Sequence, residues 1–333
     1  MKNRRMALMA LVLVSSVAFA GPRGPSSPPP PFVPEIGYTY SSGRNSSELR
    51  LSNREGTAAI LVHRSNIAQG IPKYDLAPPN VDRRPNIAFI EKDGTGRMLI
   101  KLTTWYRDAD GNVRVSTPTT LLTTSSATYQ EVMDVEFSPD GTKLAYMIAP
   151  ASLEREIYIY DLLLDKTELL IKTNSGFSLA WHASGNHLYY DTFPDENSGL
   201  KFVFRVPTNQ GVQSAGQLFI SRTGIIGDLE VTRPYSTYYI DGLIVSYSEG
   251  GANRVAFYKD DGVASPEPQV FLSRDGSPLP ARNAQINCTG STMLHQMMNT
   301  RNLDRGMYNT VTRDVTTWST DKAIGILGWM PCA

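Results

Sequence analysis

Several things are scarce in this 333-residue chain, and each scarcity excludes a class of protein. Charge of one sign is missing: Lys+Arg and Asp+Glu both total 32, so no basic excess argues for nucleic acid or an anionic membrane surface. Only 19% of residues are charged, which argues against extensive disorder. No segment beyond the N-terminus is apolar enough to cross a bilayer. No G-x-S-x-G elbow occurs and no βαβ pattern is visible, so an α/β-hydrolase or peptidase domain is not expected. The four histidines, His63, His182, His187 and His295, form no H-x-H, H-x-x-x-H or H-E-x-x-H pair. There are two cysteines, Cys288 and Cys332.

The N-terminus has the three parts of a secretory signal over residues 1–20. Lys2, Arg4 and Arg5 form the basic region, Met6 to Val14 the apolar one, and Ala18-Phe19-Ala20 a small-x-small cleavage site before Gly21. The apolar run is too short to span a bilayer, and no cysteine follows the cut to take a lipid. The expected mature chain is exported, periplasmic or secreted, and slightly anionic, with 29 basic residues against 32 acidic once the three cations are gone. Residues 21–34, GPRGPSSPPPPFVP, read as a Pro-rich linker held in polyproline II with nothing to bury.

The rest, 35–333, is organised around Asp134 to Leu162, DVEFSPDGTKLAYMIAPASLEREIYIYDL. Period-two alternation marks a run ending at Phe137, a second over Lys143 to Ile148 and a third over Glu156 to Tyr160. Pro139 presets φ for a turn, and Asp140-Gly141 supplies the positive-φ position that closes a hairpin. With Thr167 to Ile171 the unit becomes a four-stranded meander of about 40 residues, the length of a propeller blade.

The unit recurs. Lys73 to Pro79, Asn86 to Glu91, Met98 to Trp105 and Thr119 to Thr123 precede it. Ser178 to Tyr190, Lys201 to Val206 and Gln217 to Ile220 follow. A looser fifth unit spans Leu229 to Leu272, and a sixth runs from Asn283 to Trp318. The first, Ile36 to His63, has three strands, and Ile324 to Pro331 supplies one more inner strand at the other end of the chain. First-strand anchors at Ala77, Phe137, Trp181, Thr232, Ile286 and Trp329 lie 60, 44, 51, 54 and 43 residues apart. The expected fold is all-β: a six-bladed β-propeller closed by the C-terminal strand completing the first blade, which leaves no open sheet edge. A β-sandwich with similar hairpins would not explain the recurring turn or the complementary ends.

The repeat FSPDGTKLAY…IYIYDL, with Asn53-Arg54-Glu55-Gly56 in the corresponding turn of the first unit, resembles the TolB-type, WD-like propeller family of exported bacterial proteins. The match is best in the third unit and thin in the second, fifth and sixth. The resemblance implies a non-enzymatic periplasmic binding platform or scaffold. The α/β domain that TolB carries before its propeller is not matched, since residues 21–34 are far too short for it, and TolB's own partners therefore do not carry over.

The expected partner is a cell-envelope protein of unknown identity, with no nucleic acid and no cofactor. The alternative is a metal-dependent carbohydrate lyase or hydrolase with its site in the central channel, which would need several convergent ligands. His182, at the end of an inner strand, is the channel-mouth candidate. Asp108-Ala109-Asp110-Gly111-Asn112 resembles a calcium loop, but its Gly is at the fourth position and no Glu stands at the twelfth, so a hairpin turn accounts for it. Loops between second and third strands emerge on one face and vary in length, and variable loops on a rigid scaffold are where binding concentrates. Asp195, Glu196 and Arg305 are the candidate partner-binding residues there, with His182. Cys288 aligns with Pro139 and Cys332 follows Pro331, so both fall at the same end of inner strands of neighbouring blades. An oxidising compartment then favours a Cys288–Cys332 disulfide.

Overall fold

A computed structural model describes residues 32–330, apart from 42–44, 80–81, 126–129, 151–153, 175, 193–199, 214, 226–228, 232–240, 264–265, 298–303 and 320–323. The expected signal sequence, most of the expected linker, Asp195, Glu196 and Cys332 lie outside the described residues.

The described residues form six antiparallel four-stranded sheets and one two-stranded ribbon, with no helix among them. In the first blade β1 (Ile36–Ser41), β2 (Ser47–Ser52) and β3 (Ala59–Ser65) run outward. The second holds β4 (Lys73–Leu76), β5 (Ile87–Lys92), β6 (Met98–Thr103) and, after the short pair β7 (Trp105–Arg107) and β8 (Val113–Val115), β9 (Thr119–Thr123). The third is β10 (Glu131–Phe137), β11 (Lys143–Ala149), β12 (Glu154–Asp161) and β13 (Lys166–Asn174). The fourth is β14 (Leu179–Trp181), β15 (His187–Thr192), β16 (Leu200–Pro207) and β17 (Gln217–Thr223). The fifth is β18 (Glu230–Val231), β19 (Gly242–Glu249), β20 (Ala252–Lys259) and β21 (Gln269–Val270). The sixth is β22 (Ala281–Ile286), β23 (Thr292–Met297), β24 (Arg305–Asn309) and β25 (Val315–Ser319).

The last strand, β26 (Ile324–Trp329), takes the inner position of the first blade, in the order β26-β1-β2-β3. Its register is Ile36 opposite Trp329 and Tyr38 opposite Leu327. The chain's end thus supplies what its beginning lacks, and the ring closes as the terminal complementarity predicts. Where the first and second blades meet, a side chain is excluded: a Cβ on Gly37 would come within 2.7 Å of Leu76 and 3.0 Å of Tyr74. At Gly141 the tight turn requires positive φ (65°), as expected of Asp-Gly.

One expectation is corrected. Met98 to Trp105 is not a single strand. Thr103 Oγ1 donates to Ser116 O (2.6 Å), and Asn86 brackets Trp105 through both its backbone N–H (2.8 Å) and its carbonyl (2.9 Å). These bonds turn the chain out of the sheet into the β7–β8 ribbon, whose Trp105, Val113 and Val115 pack onto the first blade. At its tip the Asp108 carboxylate accepts from the N–H groups of Asp110 (3.0 Å) and Asn112 (2.9 Å) and from Arg114, so the Asp-Gly stretch is a self-satisfied hairpin turn.

The core lies between blades. Apolar clusters join the first blade to the second, the second to the third, and so on to the sixth. Phe137, Leu144 and Tyr146, for example, pack on Ala88, Ile90 and Ile100 across one such junction.

Candidate functional site: a cavity beside the ring closure

The disc has two unlike faces. One carries the turns from first to second strand, short and closed on themselves. In the third blade Ser138 Oγ donates to Asp140 (2.6 Å), and Asp140 accepts from the Thr142 N–H (3.0 Å). The other carries the second-to-third-strand loops and the connections between blades, and on it a cavity of about 410 Å³ opens. Tyr40 and Ser47 of the first blade, Gln69 and Ile71 of the connection to the second, and Asn283 and Arg305 of the sixth stand on its walls. That connection is pinned by short-range bonds: Ser47 Oγ donates to Ile67 O (3.2 Å), and the Gly70 N–H to the same carbonyl (3.0 Å).

A smaller cavity of about 40 Å³ shares Asn283, Gln296, Arg305 and Gly325 with the first and adds Glu230, Gln285, His295 and Leu327. Local structure explains how it is made. In the β22–β23 ladder Arg282 opposes Gln296 and Gln285 opposes Leu294, so Asn283 and Ala284 together face His295. That is a β-bulge, and Asn283 sits in left-handed conformation at φ 49°. On the other side His295 pairs with Gly306 of β24, where a Cβ would lie 2.8 Å from the ring. A bulge before it and a missing side chain behind it give the imidazole its space.

His295 is 2% exposed and neither ring nitrogen makes a hydrogen bond. Burial pushes its pKa down to about 4. The neighbouring Gln296 backbone pulls the other way without bonding the ring. The imidazole is therefore neutral, offering one donor and one acceptor.

The two described candidates, Arg305 and His182, do not converge. Arg305 is not a solvated loop residue: it heads β24 at 7% exposure and donates to the carbonyls of Ile324 and Gly325 (the latter 3.1 Å), bracing the closing strand. His182 belongs to the opposite face. Its Nδ1 lies 2.8 Å from Ser184 Oγ, and its ring packs against His187 and Tyr189 at 6.1 and 6.0 Å between centroids. Beneath it Tyr189 donates to Asp260 (2.5 Å), which also pairs with Arg205. Burial, and then the Asp260 carboxylate, push the Tyr189 phenol up; burial, and then the nearby His182, hold His187 below the usual histidine range. His63, on an outer strand, pairs with Glu91 (3.0 Å). No group of three His, Cys, Asp or Glu able to hold a metal occurs among the described residues.

Sequence reasoning also misses a row of polar residues near the channel. Asp75 accepts from the Phe137 N–H (2.6 Å), Asp134 from Leu179 (2.8 Å), Ser178 from Leu229 (2.8 Å) and Gln285 from Trp329 (3.1 Å). Each links an inner strand to that of the next blade. The readable signal is a polar residue one to three positions before the Ala77, Phe137, Trp181 and Ile286 anchors.

The propeller is similar to the solved structure of TolB from Acinetobacter baumannii, with a TM-score of 0.63 at 15% identity, over 90% of this chain and 67% of that one. It is also similar to a putative TolB from Agrobacterium tumefaciens, with a TM-score of 0.54 at 12% identity, over 86% of this chain and 89% of that one. A third likeness is the β-propeller domain of the Trilobed protease from Pyrococcus furiosus, with a TM-score of 0.52 at 10% identity, over 86% and 84%. No family model and no curated protein matches the sequence. At these identities the likeness establishes the six-bladed, TolB-like fold.

Proposed function

We propose that this is a non-enzymatic binding propeller of the cell envelope, exported by residues 1–20, which holds a protein partner on the face bearing the second-to-third-strand loops. The observation that carries the reading is the asymmetry between the faces. The 410 Å³ cavity lies on the face of the variable loops, while a turn such as Ser138–Thr142 on the other satisfies its polar groups internally. The TolB-like fold supports the reading as a scaffold, and the three-part N-terminus supports export. Asp195 and Glu196, which fall between β15 and β16 in the sequence, are part of this proposal as partner contacts.

Two measurements test it. Fusing residues 1–34 to alkaline phosphatase should give periplasmic activity, with the native chain beginning at Gly21. Affinity capture from envelope extract should lose its partner on combined Tyr40→Ala, Gln69→Ala and Asp195→Ala substitution, and keep it when Asp140 and Thr142 are replaced. The reverse pattern places the partner on the other face.

A further inference from the structure

We propose that the paired cavities beside the ring closure form a binding site for a small uncharged, hydroxyl-rich ligand of mono- to disaccharide size, with His295 as its innermost contact. This goes beyond the protein-partner reading and does not depend on it.

A buried polar group without a partner destabilises a fold, and burying an apolar side chain in its place is neutral or favourable. His295 is nevertheless built in. The bulge at Asn283–Ala284 holds a non-glycine residue in left-handed conformation to face it, and β24 gives up a side chain at Gly306 to admit it. Local strain of this kind collects at ligand sites. His295, with both ring nitrogens unsatisfied, lines the small cavity, which at about 40 Å³ admits a hydroxymethyl arm but not a ring. The adjoining 410 Å³ chamber is within the size range of small-molecule sites and takes the ligand's bulk.

The chemistry of the lining selects the ligand class. Among the described residues one acidic group, Glu230, and one cationic group, Arg305, stand on the walls, and the imidazole is neutral, so the described lining carries no net charge. Arg305 already serves the carbonyls of Ile324 and Gly325, which directs it at the closing strand rather than at an anion. The remaining groups are carboxamides. Gln285 Oε1 accepts from the Trp329 N–H (3.1 Å) and Gln296 Oε1 from Arg282 Nε (2.8 Å), so each amide oxygen is anchored and each NH₂ group is left to donate. Amide donors and an imidazole that both gives and takes match hydroxyl groups, which also do both. Ile71, Pro72 and Leu327 supply the apolar wall that ring faces require.

The test is thermal shift and titration calorimetry on the purified full mature chain. The probes are glucose, galactose, N-acetylglucosamine, maltose and trehalose, with citrate, phosphate and spermidine as charged probes. The expected result is stabilisation by at least one sugar and by none of the charged probes. His295→Leu should keep or raise the melting temperature in buffer while weakening that sugar by about tenfold or more, the loss of one buried hydrogen-bonding group. Gln285→Leu tests the same wall independently should the first variant fail to fold. Stabilisation by charged probes alone, by nothing, or equally by wild type and both variants would overturn the proposal. Partner capture is read separately, so loss of one does not entail loss of the other.

Discussion

Five of the six blade-to-blade junctions are built on apolar clusters, and the sixth, where the last blade meets the first, is held among the described residues by polar and aromatic contacts. Phe137 and Tyr146, or Tyr189 and Phe219, sit in clusters that span neighbouring blades. Among the described residues no such cluster spans the seam. There Arg54 donates to Thr292 Oγ1 (2.9 Å) and lies over the Trp329 ring at 5.7 Å, and Trp318 Nε1 donates back to Arg54 O (2.9 Å). Arg305 braces the carbonyls of β26, and Tyr38 meets Trp318 edge-on at 5.8 Å. An apolar junction gains from area without needing a fixed register. A polar one gains little net energy per bond but fixes geometry, because each donor must meet its acceptor. The seam is the one junction formed by segments from opposite ends of the chain, so register there cannot be inherited from a short loop. Hydrogen bonds supply it.

The largest effect should come from removing the closing strand. Truncation after Thr320 deletes β26 and strips β1 of its inner partner from Ile36 to Tyr40. The first blade then keeps three strands and an open edge, a template for aggregation. We expect insoluble or proteolysed protein. A truncated chain that melts cooperatively at the full-length temperature would show that the seam is dispensable.

Next in size is the proposed covalent latch between Cys288 and Cys332. Cys288 lies in the turn after β22 and is not free, while the proposed partner, Cys332, falls outside the described residues. Both belong to the seam by sequence. A bond there closes a loop of 44 residues, worth about 4 kcal/mol in the chain-entropy model. Cys288→Ser should lower stability by roughly that amount, and reductant should do the same to the wild type and nothing to the variant. Two thiols alkylated without reductant would remove the latch from the comparison.

Much of the fold is legible in the sequence. Alternation and the Ser138-Pro139-Asp140-Gly141 turn give the strands, because period two and positive φ are local demands. The missing inner strand at one end and the surplus one at the other give the closure. The β7–β8 ribbon is hidden because alternation continues through Thr104 into Trp105, and the bonds that break the strand come from Asn86 and Ser116. The cavity is hidden for a stronger reason: its walls come from the first, fifth and sixth blades and from one connection between blades. His295 reads as a residue on a second strand aligned with Tyr146. What marks it is relational, an extra residue in the inner strand opposite and a glycine on the third strand, and neither is visible until register is known.

The smallest predicted effect separates the seam's polar chemistry from the apolar junctions by pH. His295 has its pKa lowered from 6.5 to about 4 by burial, so between those values the unfolded chain binds the proton that the folded chain refuses. Stability therefore rises with pH through this window: the contribution is complete above about 6.5, fades as pH falls and is gone by about 4, with a full depth of roughly 3 kcal/mol. Glu48 is buried and Glu91 half-buried, and desolvation alone would raise both. Bonds from Arg50 and Arg64 to the first, and from His63 and Lys101 to the second, hold both below 4.5, so their losses come at lower pH. His187 shifts in the same direction as His295 and overlaps it, which is why the variant must be compared with the wild type rather than read alone. His295→Leu should gain melting temperature over the wild type progressively from pH 6.5 to pH 4.5, in sugar-free buffer, because only the wild type has a proton to take up. A gap that stays flat across this range would mean that the ring is solvated or charged in the fold, and the cavity beside the seam would lose its innermost neutral contact.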